Sequence, residues 1–152
     1  MKQYTKFNNI SGWAVFAIAA WVFLSTIEMT GSFWDCGEFI AAAYKLQIGH
    51  PPGAPLFLML SRIMTLFAGG DVASIPIMVN AFSAIMSAFA VLFTFWTITA
   101  IARKVVFTKN QEPTFSQILT VIASGVVGAL AFTFTDSFWF SAVEGEVYAT
   151  SQ

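Results

Sequence analysis

The chain has 152 residues, of which 57% are hydrophobic and only 10% charged, with a formal net charge of −1. A water-soluble domain carries about 25% charged residues, so this composition excludes a fully water-facing surface and points to an integral membrane protein. The balanced charge excludes a strong field for nucleic acid, and a single cysteine, Cys36, excludes a disulfide-stapled scaffold.

The first apolar run is Gly12 to Ile27, or Ile10 to Glu28 with its flanks, and it follows Lys2 and Lys6. It resembles a signal peptide. However, the small residues Ala17 and Ala19 lie inside the run and no good cleavage site follows, so an uncleaved signal anchor is expected. The second run, Ala54 to Ala68, gives a helix of only about 22 Å at about 1.5 Å per residue. That is short of a hydrocarbon core of about 30 Å. Ser61, Arg62 and Thr65 would share one side of it. The third run, Ile75 to Ala102, and the fourth, Ile118 to Thr135, are long enough to cross.

Charge placement favours the same division. If all four runs crossed, Lys2 and Lys6 would lie inside while Arg103, Lys104 and Lys109 lay outside, against the positive-inside tendency. If the second run lies in the interface, both basic groups are cytoplasmic. The exterior then holds Glu28, Asp35, Glu38, Asp71, Asp136, Glu144 and Glu146 against Lys45 and Arg62. The expected fold is therefore an all-α membrane protein with three transmembrane helices, at about 10–28, 75–102 and 116–135. The first external loop, at about 29–74, would carry one or two juxtamembrane or interfacial helices. A second external segment would cover 136–152, so two polar clusters distant in sequence would face one compartment.

Other signals along the spans read as packing. Asn80, Ser83 and Ser87 share a helical face, which suits contact between helices through small and weakly polar groups. Gly125 and Gly128 suit close approach, and Gly69-Gly70-Asp71 marks a turn. The aromatic cluster Phe138, Trp139 and Phe140 is expected to form an interfacial belt.

The segment Ser32 to Gly53 gathers the polar chemistry. Asp35 and Glu38, three apart, fall on adjacent parts of one helical face, and Asp35 can cap that helix by accepting from the amide of Gly37 or Glu38. Phe39 to Leu46 supports a short helix, which Gly49 ends and Pro51-Pro52 prevents from continuing. Paired carboxylates beside apolar groups suit general-base work. They can also hold a divalent cation, although nothing in the sequence indicates a metal. The alternative is simple capping and solvation. His50 is well supported by its Pro-Pro neighbour, although a lone histidine is more often structural. An arginine in an apolar helix needs an anion or the interface, so Arg62 is a candidate for a lipid phosphate. Cys36 reads as a small apolar filler. In the last segment Glu144 and Tyr148 are one helical turn apart.

Three tracts carry a family resemblance. Phe33, Trp34, Asp35, Gly37, Glu38 and Phe39 match F-W-D-x-G-E-F; His50 to Gly53 match H-P-P-G. Ala142, Val143, Glu146, Val147 and Tyr148 match A-V-x-x-E-V-Y. Together the tracts resemble a large family of bacterial membrane proteins, common in Bacteroidetes and related to protein O-mannosyltransferases of the GT-C glycosyltransferase class. The resemblance implies the N-terminal part of a GT-C fold in a bacterial inner membrane, with a cytoplasmic N-terminus and periplasmic loops. It implies transfer of a sugar from a polyprenyl-phosphate donor to a protein Ser or Thr hydroxyl outside the membrane. Asp35 would be the catalytic base with Glu38 beside it. His50, Arg62, Glu146 and Tyr148 would support or bind substrate. The mannosyltransferases proper have adjacent Asp and Glu, whereas Cys36 and Gly37 intervene here.

The implied partners are a lipid-linked sugar donor, a protein acceptor, membrane lipid and either the remainder of a longer polypeptide or other membrane subunits. The chain is expected to be an N-terminal portion, inactive by itself. The competing reading is a non-catalytic subunit of a membrane complex. A transporter fragment is the weakest, because no charge sits mid-span in the first, third or fourth run.

Overall fold

The computed structural model describes residues 1–32, 34–50, 53–108 and 111–145. Its elements in order are α1 (Lys2–Ser25), α2 (Cys36–Lys45), α3 (Pro55–Thr65), α4 (Ile75–Val106), α5 (Phe115–Thr133) and α6 (Asp136–Val143), with short 3-10 turns at Leu66–Ala68 and Val72–Ser74. Three helices are long and apolar enough to cross a membrane, namely Lys2–Ser25, Val72–Val106 and Phe115–Thr133. The stretch Pro55–Ala68 is too short. The fold is all-α, with three membrane-length helices and shorter apolar ones, as composition and run length require.

The chain divides into two compact units. The first comprises Met1–Ala19 and Ala88–Thr135. Within it glycines set the helix spacing. A Cβ at Gly125 would lie 2.5 Å from Thr99 Cγ2 and 2.9 Å from the Phe95 ring, and one at Gly128 would lie 2.6 Å from Ile98 Cδ1. Gly12 of α1 approaches Trp96 Nε1 in the same way, at 2.7 Å. Without a hydrophobic drive between helices in lipid, such backbone approach supplies the packing attraction. The α4–α5 connection is held by a capping box. Gln117 N–H donates to Thr114 Oγ1 at 3.3 Å, and Thr114 N–H donates to Gln117 Oε1 at 2.9 Å. The Gln117 amide also donates to the Val106 carbonyl near the end of α4, at 3.1 Å.

The second unit comprises Ala20–Ser87 and the segment from Asp136 onward. Here α2 turns Cys36, Phe39, Ile40, Ala42 and Ala43 inward, while α3 buries Phe57, Leu58, Ser61 and Thr65. Phe39, Phe57 and Phe82 stack in series with centroids 5.7 and 5.8 Å apart. Pro55 opens α3 at its first turn, where a missing N–H is harmless. The other face of α3 leaves Leu56, Met59 and Ile63 exposed, as is Leu66 just after it, which suits a helix lying in an interface.

Two local expectations change. Helix α2 stops at Lys45, before Gly49, because Leu46 takes a left-handed conformation (φ 52°) and its N–H and that of Gln47 turn back to carbonyls of the last helical turn. The Phe138–Phe140 cluster is not a uniform belt. Phe138 is buried, both Phe138 and Trp139 pack edge-on against Phe23 at 5.9 Å, and Phe140 faces outward.

Substituting Gly125→Val should lower the melting temperature of the detergent-solubilised protein, because overpacking at such a contact costs about 1–3 kcal/mol. An unchanged melting temperature would contradict the close packing of α4 and α5.

Candidate functional site

The acidic segment is built by one strained turn and one hydrogen-bonded loop. Trp34 has φ 63°, unusual for a bulky residue, and its side chain is 94% exposed. It turns the chain so that Asp35 takes the N-cap position of α2, with its carbonyl accepting from Phe39 N–H at 2.9 Å. Its carboxylate makes no capping bond. That corrects the expected cap to Gly37 or Glu38: the carboxylate faces His50 instead, with Oδ2 3.8 Å from Nε2.

Glu38 makes the closer contact. Its Oε1 accepts the backbone N–H of His50 at 2.7 Å, and its Oε2 lies 3.0 Å from His50 Nδ1. The approach is close at the residue before His50: a Cβ on Gly49 would sit 3.2 Å from Glu38 Oε1. His50 in turn accepts at its carbonyl from Gly53 N–H at 2.9 Å, with Gly53 left-handed at φ 76°. Pro51 and Pro52, expected to stiffen this loop, lie outside the described residues. All three side chains are exposed.

The electrostatics follow from this geometry. The His50 backbone N–H, then its ring, hold the Glu38 carboxyl below its ordinary value of 4.5. The Glu38 hydrogen bond, then the charges of Glu38 and Asp35, raise His50 above 6.5. With Nδ1 held by Glu38, Nε2 is directed at Asp35, which makes a carboxylate–imidazole–carboxylate array. One ligand atom from each of Asp35, Glu38 and His50 falls within 4.8 Å of the others. The set is thus able to hold a divalent cation, with Glu38 orienting the imidazole from behind if the cation sits between Nε2 and Asp35.

Arg62 is not part of this array. Its Nη1 donates to the Tyr44 carbonyl at 2.6 Å and to Thr65 Oγ1 at 3.3 Å, and its guanidinium lies 5.4 Å from the Tyr44 ring centroid. Tyr44 belongs to the last turn of α2 and Asp35 precedes its first, so the two groups sit at opposite ends of a helix about 15 Å long. Arg62 satisfies a carbonyl at the C-terminal end of α2, where a cation also suits the helix dipole. Glu146 and Tyr148 lie outside the described residues. Glu144 occupies a turn just after α6.

Sequence reasoning read Asn80 only as a helix-packing residue. It is fully buried, and its Nδ2 donates to the carbonyls of Glu28 (2.7 Å) and Thr30 (3.1 Å). Its Oδ1 lies 3.8 Å from the Cys36 thiol, which is also fully buried. The available signal was a carboxamide, with two donors and an acceptor to satisfy, inside an otherwise apolar span.

The sign of the pH dependence is fixed by the two shifts. The Glu38 contribution is complete above 4.5 and is lost as pH falls through its lowered folded value. The His50 contribution is complete below 6.5 and is lost as pH rises through its raised folded value. The loop is therefore tightest between those limits. In the full-length protein the NMR titration of His50, identified by its loss in His50→Gln, should lie above 6.5 and move down in Glu38→Gln. The same titration in both proteins would contradict the pair.

Comparison with known proteins bears on this arrangement. Residues 35–152 match the family described as the Protein O-mannosyl-transferase TMEM260 N-terminal domain. The chain is 31% identical over 137 residues to Protein O-mannosyl-transferase TMEM260 of Mus musculus, covering 90% of this chain and 17% of that protein. It is 25% identical over 115 residues to Protein O-mannosyl-transferase tmem260 of Dictyostelium discoideum, covering 76% of this chain and 12% of that protein. No solved structure matches. The family match begins at Asp35, in the acidic segment, and continues through α2 to α6: the chain belongs to the TMEM260 N-terminal domain family of protein O-mannosyl-transferases.

Proposed function

We propose that this chain is the N-terminal module of a GT-C-type protein O-mannosyltransferase, which moves a sugar from a polyprenyl-phosphate donor to a Ser or Thr hydroxyl. The observation that carries this reading is the convergence of Asp35, Glu38 and His50 in one exposed segment between a first membrane-length helix and a helix too short to cross. The relatives' names supply the reaction class. Since the chain spans 17% and 12% of those relatives, most of the acceptor and donor site would be built elsewhere in the full protein.

The chemistry assigned to these residues is simple. A hydroxyl attacking an anomeric carbon must lose its proton as the bond forms, and the bond to the phosphate oxygen breaks. Asp35 is the proposed base that takes this proton. Its carboxylate is exposed and not committed to a helix cap. Glu38 fixes the His50 ring, and His50 Nε2 faces Asp35 and sets its direction. The distribution of Lys and Arg supports the proposed non-cytoplasmic placement, and the sequence resemblance favours the outside of a bacterial inner membrane. Arg62, at the interface end of α2 with one nitrogen on Tyr44, is proposed to meet a lipid phosphate with the rest of its fork. Glu146 and Tyr148 are retained as a second acid and a substrate contact. Gly145, the residue before them, is buried against Asn80 and Cys36, close to the helix that Asp35 opens.

In the full-length protein Asp35→Asn should insert normally and lose Ser/Thr mannosylation by about 10²–10⁴-fold, the usual worth of a general base. Wild-type mannosylation in that variant would remove Asp35 from the reaction and leave a non-catalytic membrane module as the better reading.

A further inference from the structure

Asn80 lies in a span, yet its carboxamide serves segments outside that span. Glu28 Oε1 accepts from the N–H (3.1 Å) and hydroxyl (2.8 Å) of Thr30, which folds residues 28–30 into a tight turn. That turn presents the carbonyls of Glu28 and Thr30 to one nitrogen, Asn80 Nδ2. The amide orientation is fixed, because a flipped carboxamide would set Oδ1 against two carbonyl oxygens. Oδ1 instead faces the thiol of Cys36, the first residue of α2 and the neighbour of Asp35.

The end of α6 joins the same point. Glu28 N–H donates to the Val143 carbonyl at 3.1 Å. Gly145 is so close that a Cβ there would lie 3.0 Å from Asn80 Oδ1, 3.2 Å from Val79 Cγ1 and 3.5 Å from Cys36 Sγ. One carboxamide thus bonds the turn after α1 and faces the start of α2, and the same turn holds the end of α6 through Glu28 and Val143. The packing of α4 against α5, through Gly125 and Gly128, uses different residues. So does the packing of α2 against α3, through Phe39 and Phe57.

We propose that Asn80 is a positioning residue for the transfer site: its buried carboxamide locks the turn at 28–30 and the first turn of α2 in register with the end of α6, and thereby fixes the direction of Asp35. This rests on the reading of Asp35 as the base. Asn80 touches no reacting atom. An Asn80→Asp change keeps the volume but replaces the donor with an acceptor facing two carbonyl oxygens, so the turn and the start of α2 are released while the spans keep their glycine contacts.

The test uses the full-length protein in membranes with Cys36 as its sole cysteine. Two quantities are read: the rate of Cys36 modification by a membrane-permeant maleimide, and the kinetics of mannose transfer from polyprenyl-phosphate mannose to a Ser/Thr peptide. In Asn80→Asp the labelling rate should rise at least about tenfold as the buried thiol opens locally. kcat should fall about 100-fold, the cost of about 1 Å of misplacement, with KM for the donor unchanged. Gly145→Ala, which retains Asn80 and only crowds its carboxamide, should move both quantities in the same direction; it serves as the reading variant if Asn80→Asp fails to accumulate. Asp35→Asn should lower transfer by about 10²–10⁴-fold with Cys36 still protected, which separates failure of the base assignment from failure of the positioning role. A protected Cys36 in Asn80→Asp and Gly145→Ala would overturn the proposal, and so would an exposed Cys36 with wild-type kcat.

Discussion

A carboxamide cannot be left unpaired in an apolar span, because each unsatisfied polar group there costs several kcal/mol. Asn80 meets that constraint by drawing in partners that are distant in sequence. The carbonyls of Glu28 and Thr30 come from 52 and 50 residues away, and the Cys36 thiol from 44. The rest of the polar architecture depends on this. Cys36 is buried at Asn80, and Asp35 precedes it at the exposed N-terminal end of α2. One helical turn later Glu38 projects from the same helix, and the loop returning after α2 brings His50 to it.

The second constraint is length. Helix α3 is too short to span, and it leaves an apolar outer face exposed. Arg62 joins α3 to α2 by closing the carbonyl end of α2. This places a cation and an acidic array at opposite ends of the same short helix. The acids and most of the outer face of α3 are exposed, while the two helices pack on each other through Phe39 and Phe57.

Much of this was legible in the sequence for a plain reason: hydrophobic length is a local property. The three membrane-length helices and the short α3 follow from counting apolar residues, and Gly125 and Gly128 announce close packing without any knowledge of their neighbours. The site was legible only as a list of residues. Asp35 was expected to cap α2, because sequence spacing cannot reveal that His50, 15 positions later, competes for the carboxylate. Gly49 looked like the helix stop, yet Leu46 adopts the left-handed turn; the glycine instead lies close beside Glu38. Asn80 was grouped with Ser83 and Ser87 because all three share a face. What distinguishes it is the pair of carbonyls that tertiary folding brings to it, and no local pattern carries that information.

The most direct measurement is the sidedness of two engineered cysteines in the full-length protein, in a Cys36→Ala background because Cys36 itself is buried. Ile48, 96% exposed in the loop after α2, and Ser137, exposed in the first turn of α6, are suitable sites. If Asn80 gathers the first loop and the segment after α5 on one face, an impermeant maleimide should modify both cysteines from the non-cytoplasmic side. Modification of the two from opposite sides of the membrane would contradict the account.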